Sequence, residues 1–567
     1  MQYRKYFGFD MDGLHRIKKV LYILGGLLII VIAYWTNFLP GLYEGSDLSF
    51  HLNRIDSLAE SLRNGVFPVK LHATRAFGYG YGVGFFYCNF FLYIPALLIN
   101  CGMSLLASYK IFLFLIYIAM YVAMGFVVFK LTNNVEIAFM VSSIYIISEK
   151  VIGVMYNSGG LSEAVALVFL PLAIGGMYIF MVHDKKPYML IVGFSGLILA
   201  HTISTFLVFI VCGFIVIFHI NKLFVNKKKV MCLMSAVLCV SFLTMGFWLP
   251  MFEQMFAQDL KVNYPWTVSE NNVENFRNII LGEQRLGELI SLVYLLSIVG
   301  VVILLIKREK KAICKILPLM LIATGMTVVT TWWWWWHLMN TVLKIRFLQF
   351  PLRLFSSVTV LILLTFALLY EEFEKTYAKR WITICILFFG IYMSFQSYLE
   401  DKDTMIGYKE VNAVVEGMYA GLGAGEEWLP IETDREELTD STKAYDNDGN
   451  EITGQKLEGY NKFVFEADMR KQYYDIPYIW YKGYSAEDSK GNSLIITKNE
   501  NNGMVRVHIS ENSERRELLT VHYEGTLCQK MAYVGSVLGI CLIIRHIMAS
   551  KKMKRGNSND KIFEGKS

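Results

Sequence analysis

A carboxylate, two imidazoles and a guanidinium stand where the sequence turns polar between long apolar runs. Asp47 lies in "GSDLSFHLNRIDSLAESLRNG" (Gly45 to Gly65), with His51 one helical turn later and Arg54 three residues beyond. An ionised carboxylate can take the proton of a hydroxyl, which is a poor nucleophile while it keeps that proton. His51 can orient such a carboxylate or contact a ligand, and a neutral, hydrogen-bonding ring suits it better than a metal bond. Arg353, in "IRFLQFPLRLFSS" (Ile345 to Ser357), carries a fork that grips a phosphate through two parallel hydrogen bonds, with Arg346 and Gln349 close by in sequence. Glu163, in "YNSGGLSEA" (Tyr156 to Ala164), is either a helix-start carboxylate or a second acidic group. His201 in "AHT" and Trp248 in "FWLP" are further candidates for binding a substrate.

Each of these residues also has a plain reading. A polar residue outside an apolar run is usually solvated. Asp47 suits a helix N-terminus through the macrodipole alone, and Arg353 suits a span end from which it snorkels to lipid headgroups. Most of the five consecutive tryptophans, Trp332 to Trp336, form an interfacial belt, because five in a row cannot all face one side of a helix.

Asp47 is positioned by a predicted helix over residues 46–64. At about 100° per residue Leu48, Leu52, Ile55, Ala59 and Leu62 form one apolar arc, and Asp47, His51 and Arg54 line its border. Ser46 is placed to cap the start and Gly65 the end, with Pro68 following. Such a helix is expected to lie in the membrane interface, its border facing the boundary between lipid and water.

The rest of the chain sets that membrane. The sequence is 54% hydrophobic and 18% charged, with mean hydropathy +0.41 and a formal net charge of +6. Its apolar runs repeatedly exceed what is needed to cross about 30 Å of hydrocarbon. The basic residues lie in short clusters between those runs, which excludes a nucleic-acid partner and matches cytoplasmic loops. Arg4, Lys5, Arg16, Lys18 and Lys19 precede a retained first span, Val20 to Leu39, that lacks a small-residue cleavage site. Further spans are expected near 109–130, 134–149, 162–182, 188–201, 203–222, 229–250, 287–306, 313–333, 353–371, 381–398 and 528–546.

One more apolar run, Phe85 to Gly102, is read as interfacial or re-entrant. If it crossed, "NKKK" (Asn226 to Lys229), "KREKK" (Lys307 to Lys311) and "KKMKR" (Lys551 to Arg555) would fall outside, against the positive-inside bias. The expected architecture is therefore an all-α polytopic bundle of about twelve spans with both termini cytoplasmic, and every candidate site residue falls on the outer face. The bundle takes residues 1–398. Residues 399–527 form an outer β-rich domain, 528–546 a final span and 547–567 a basic tail. Within the β-rich segment, "SLIITK", "NENNG" and "MVRVHIS" read as a hairpin in which Val505, Val507 and Ile509 alternate with Arg506 and His508. None of the nine cysteines lies in that segment before Cys528, so no disulfide framework or metal-type spacing is apparent.

The order of these motifs carries a resemblance. A first span, an outer "D-L-x-F-H-L-x-R-I" helix ending in "NGxFPV", then "GYGYGVGFFY", resembles the GT-C superfamily of polyprenyl-phosphate-sugar-dependent glycosyltransferases. More narrowly it is similar to bacterial YfhO-type proteins and to the membrane family labelled pyruvoyl-tetrahydropterin synthase-related. The similarity continues through "YNSGGLSEAVALVFLPLA", "AHTISTFL", "FWLP", "LQFPLRLFSS", "IPYIWYKGYSA" and "VHYEGT".

The resemblance implies a bacterial cell-membrane enzyme that moves a sugar from a polyprenyl-phosphate donor to a cell-envelope polymer or glycolipid on the extracytoplasmic face. It implies Asp47 as the base and Glu163 as a second acidic group, and leaves His51, Arg54, His201, Trp248, Arg346, Gln349 and Arg353 as contacts to substrate. No cofactor is certain. A divalent cation is possible as in some relatives, although Ser49 stands where a paired acid would be expected. Two other classes compete, a membrane transporter or lipid flippase and a non-catalytic envelope scaffold. Midplane charges, internal repeats and broken helices, which mark transporters, are not evident.

Overall fold

The computed structural model describes the chain apart from residues 1–10, 184–185, 265–268, 282–285, 374–376, 402–404, 407–421, 423–425, 458–460, 510–514 and 565–567. Arg4, Lys5 and part of the 399–527 segment lie outside the described residues. Among the described residues seven helices are long and apolar enough to cross a membrane: Val20–Phe38, Leu105–Thr132, Leu161–Val182, Glu288–Ile306, Lys310–Thr330, Pro351–Glu372 and Leu527–Arg545. The chain is a helical membrane protein with a β-rich domain.

The expected count of about twelve spans is larger than this. Every expected stretch is helical, but two are bent pairs: Val135–Ile146 with Glu149–Asn157 at 44°, and Lys227–Leu243 with Met245–Ala257 at 72°. Two others, Tyr188–Ala200 and Thr202–Phe218, fall short of the ~20 residues a span needs, and Ile384–Gln396 is the apolar part of the helix Tyr377–Asp401. Hydropathy registers an apolar run but not the breaks within it. Phe85 to Gly102 holds only the end of a four-residue helix, Val83–Phe86, and an eight-residue one, Tyr93–Asn100, neither able to cross.

The chain divides into two compact units that interleave in sequence. The first takes residues 1–59, 90–225 and 262–425, the second residues 60–89, 226–261 and 426–567. This differs from a boundary at 398/399, because the loop after the Asp47 helix and the second bent pair belong with the β-rich domain.

In the first unit the Pro351–Glu372 span is almost wholly buried, lined by residues such as Val358, Leu361, Leu364 and Ala367. A short ribbon, β1 (Leu42–Tyr43) against β2 (Met405–Ile406), follows the first span.

In the second unit nine strands form one sheet: β3 (Lys443–Asp446), β4 (Glu451–Thr453), β5 (Gln455–Leu457), β6 (Lys462–Asp468), β7 (Tyr473–Ile479), β8 (Tyr484–Glu487), β9 (Ser493–Lys498), β10 (Met504–His508) and β11 (Arg516–Tyr523). Their order is β4-β3-β7-β10-β9-β8-β11-β6-β5. The two edge strands, β4 and β5, are joined through Gly454 alone, so the sheet curls round until its ends meet. The expected hairpin is β9–β10, with Val507 opposite Ile496 and Val505 opposite Lys498; Val505 and Val507 are buried.

The 60–89 loop is bound into this unit. Phe86 stacks flat on Trp428 at 4.4 Å, and the Trp428 amide donates to the Tyr81 hydroxyl. Gln254 of the bent pair exchanges two hydrogen bonds with the Lys482 backbone, at 2.7 and 2.9 Å.

Candidate functional site

The Asp47 helix runs from Leu48 to Arg63. Asp47 itself takes the capping position, its carbonyl accepting from the His51 amide at 3.1 Å. Ser46, the expected cap, instead donates to the Ser158 carbonyl, which also accepts the Asp47 amide at 2.8 Å. The helix start is thus docked on the turn of "YNSGG". The fit is close. A Cβ on Gly45 would lie 2.5 Å from the Gly159 nitrogen, and Gly159 has φ +61°, a conformation that favours glycine.

Tyr156 anchors that turn from below. Its hydroxyl accepts from the Asn37 amide at 2.8 Å and lies 3.3 Å from both the Tyr117 hydroxyl and the Ala33 carbonyl. The hollow beside it, bounded by Asn37, Tyr43, Leu48 and Tyr109, offers about 10 Å³ to the centre of a water-sized molecule. That is room for about one water, not for a sugar.

The helix does not lie with a polar border at the lipid surface, as its amphipathic pattern suggested. His51, Asn53, Arg54 and Ser57 are buried along with Leu48, Leu52 and Ile55, Arg54 to 1% exposure. Its polar side is covered because neighbouring segments supply partners: Arg54 donates to the Ser162 hydroxyl at 3.2 Å and lies 3.3 Å from His51 Nδ1. An Arg can only donate, so His51 Nδ1 accepts and the proton of the neutral ring sits on Nε2. Burial holds the His51 pKa well below its ordinary value, and the Arg54 charge and His201 add to the effect. This residue is a neutral hydrogen-bonding group.

Glu163 sits in the first turn of Leu161–Val182. Its Oε1 accepts from the Ser356 hydroxyl at 2.8 Å and faces the Lys150 ammonium at 3.4 Å. Lys150 escaped the sequence reading. The one available signal was a lysine at the end of an expected span, "SEK", thirteen residues before an acid in a similar setting.

Arg353 comes from a third segment. It donates to the Leu348 carbonyl at 3.1 Å and to Gln349 Oε1 at 3.2 Å, with its guanidinium over the Phe350 ring. Gln349 is held at φ +54° and lends its own carbonyl to Asn272. It positions Arg353.

These groups share one field. Asp47 lies within electrostatic reach of both Arg353 and Glu163, and Glu163 within reach of Arg353, Lys150 and His201. A Cβ on Gly160 would stand 3.8 Å from Asp47 Oδ2 and 3.9 Å from Glu163 Cβ, so the two acids flank this glycine. Asp47 keeps solvent-exposed surface while the protein around it is dense. Loss of water raises its carboxyl above the usual range; Arg353 opposes that rise and Glu163 adds to it. His201 caps the Thr202–Phe218 helix, its Nδ1 accepting the Ser204 amide, and stands within reach of Glu163, Arg353 and Lys150.

Other sequence candidates lie elsewhere. Arg346 is exposed and donates to the Asn340 carbonyl. Trp248 belongs to the second unit and gives its indole N–H to the Ser241 carbonyl. Trp332, Trp333 and Trp334 are exposed while Trp336 is buried. Among the described residues no three of His, Cys, Asp and Glu gather as a metal-binding group. Asp47, His51 and Glu163 do not form such a group.

No protein-family model matches the chain, and no curated protein matches it.

Proposed function

We propose that the chain is a GT-C-like glycosyltransferase, of the YfhO-type group, that moves a sugar from a polyprenyl-phosphate donor to a cell-envelope polymer or glycolipid. In this reading about twelve segments cross or enter the bacterial cell membrane, both termini are cytoplasmic, and the Asp47 recess opens on the extracytoplasmic face. The observation that carries it is that Arg353, 306 positions from Asp47 in the sequence, lies within electrostatic reach of the Asp47 carboxyl. A proton acceptor and a phosphate-binding cation are what this reaction needs side by side.

The acceptor hydroxyl forms a bond to the anomeric carbon as the bond from that carbon to the phosphate oxygen breaks. The hydroxyl proton passes to the Asp47 carboxylate, and the bonding pair leaves on the polyprenyl phosphate. Arg353 offsets the charge that grows on the leaving oxygen. Asp47 suits the base role better than Glu163, because loss of water raises its carboxyl above the usual range and it keeps open surface, whereas Glu163 Oε1 is engaged with Lys150 and Ser356. His51 supports the helix that carries the base.

The test is Asp47→Asn in purified full-length protein, assayed with a panel of polyprenyl-phosphate hexoses. Transfer is expected to fall about 10²–10⁴-fold while folding and expression hold, the range general-base removal gives. Full activity in this variant would overturn the assignment.

A further inference from the structure

Glu163 occupies a place suited to an anion that is not part of the protein. Its Oε1 accepts a hydroxyl hydrogen bond from Ser356 and an ammonium contact from Lys150, with Arg353 and His201 within electrostatic reach. Lys150, Ser356 and the neighbouring Arg54–Ser162 pair are buried. Of the ion pair Glu163 is the more accessible, at 19% of its side-chain surface against 10% for Lys150. A partly accessible carboxylate thus holds two buried donors. Bringing an ammonium this far out of water is costly unless a negative charge stays with it, so any group that displaces Glu163 must itself be an anion. A phosphate oxygen satisfies both donors as a carboxylate oxygen does.

We infer that Lys150 and Ser356 form a phosphate subsite that Glu163 fills at rest and vacates when a phosphate binds. The inference rests on the glycosyl-transfer reading for the identity of the phosphate carrier, and on side-chain geometry for the subsite itself. Glu163 is then a resident counter-ion that keeps Lys150 compensated while the site is empty of substrate. Lys150 acts on the phosphate with Arg353, which lies within electrostatic reach of the displaced carboxylate.

The test is an equilibrium titration of full-length protein in lipid nanodiscs with two probes, farnesyl phosphate and inorganic phosphate. Glu163→Gln removes the internal competitor and keeps a group that can accept from Ser356; it is expected to bind farnesyl phosphate more tightly than the parent protein. Lys150→Gln is expected to weaken binding by about tenfold or more, the worth of one charge-assisted hydrogen bond. The double variant Lys150→Gln/Glu163→Gln, which leaves no unpaired charge, is expected to bind as weakly as Lys150→Gln and guards against misfolding of the single variant.

Inorganic phosphate that binds with the same Lys150 dependence and displaces farnesyl phosphate assigns the site to the phosphate group alone. Binding confined to farnesyl phosphate assigns it to a lipid headgroup. Weaker binding in Glu163→Gln, Lys150-independent binding, or no binding of either probe overturns the subsite. Lys150-dependent binding without sugar transfer would leave the subsite standing and overturn the glycosyl-transfer reading alone.

Discussion

Two of the lysines drawn out of water in this protein, one in each unit, are accommodated differently. Lys150 in the helical unit faces the Glu163 carboxylate at 3.4 Å. Lys456, on β5 of the second unit, points its ammonium at the carbonyls of Gly78, Ser441 and Pro477 and at the face of Tyr478, 4.5 Å from the ring centroid. Those acceptors carry no formal charge. Burial alone therefore pushes Lys456 down to about 7. An ion pair preserves charge for use, while an uncompensated lysine makes its surroundings sensitive to pH. The helical unit is built like a site, and the barrel-like sheet like a scaffold with one costly contact.

The largest expected effect breaks the first half of that comparison. Lys150→Met leaves Glu163 without its cation and is expected to cost roughly 2–4 kcal/mol, below the full value for a buried pair because Glu163 keeps some solvent contact. The double variant Lys150→Met/Glu163→Gln should recover most of that loss. Thermal unfolding of the three proteins measures both. A double variant no more stable than the single one would show that the pair is not what holds the segment.

The second half is sharpened by pH. Lys456 has a folded pKa of about 7 against an ordinary 10.5, so the unfolded chain binds more protons between those values. Stability must then rise with pH from about 7 toward 10.5 and be lowest below 7, where the folded state holds the charged, buried form. The facing phenols, Tyr79 and Tyr478, are both shifted upward by burial, and the Asp440 carboxyl beside them is shifted downward. Lys456→Met should flatten the slope whatever its baseline stability, as read from the fluorescence of Trp428 and Trp480 during unfolding.

The sequence revealed those features whose signal is local. Alternation placed the β9–β10 hairpin, apolar length placed the seven long apolar helices found among the described residues, and a 3.6-residue period placed the Asp47 helix to within two residues. What it missed depends on partners distant in the chain. The burial of His51 and Arg54 needs Ser162, over a hundred residues away. The assignment of residues 60–89 to the β-rich unit rests on Phe86 meeting Trp428 and on the Tyr79 carbonyl accepting the Ile479 amide. Lys150 looked like a basic residue at a span end because nothing nearby in sequence reveals that Ser356 and Glu163 converge on it. Tyr156 was read as part of a loop motif, although its hydroxyl is what fixes the turn under Asp47.

The smallest effect tests whether the helical cluster works as one charged unit. Asp47 as a base must be ionised, so transfer should fail on the acid side at a higher pH than an ordinary carboxylate would dictate. Arg353 opposes the rise in the Asp47 pKa and Glu163 contributes to it. Arg353→Gln should therefore move the acid limb of the kcat/KM profile to higher pH, and Glu163→Gln should move it lower, beyond whatever either variant does to the plateau. A general loss of structure would depress the plateau without moving the limb in opposite directions. If both variants shift the limb the same way, the charges of Arg353 and Glu163 do not act on Asp47, and the comparison between a compensated cluster and an uncompensated lysine loses its first member.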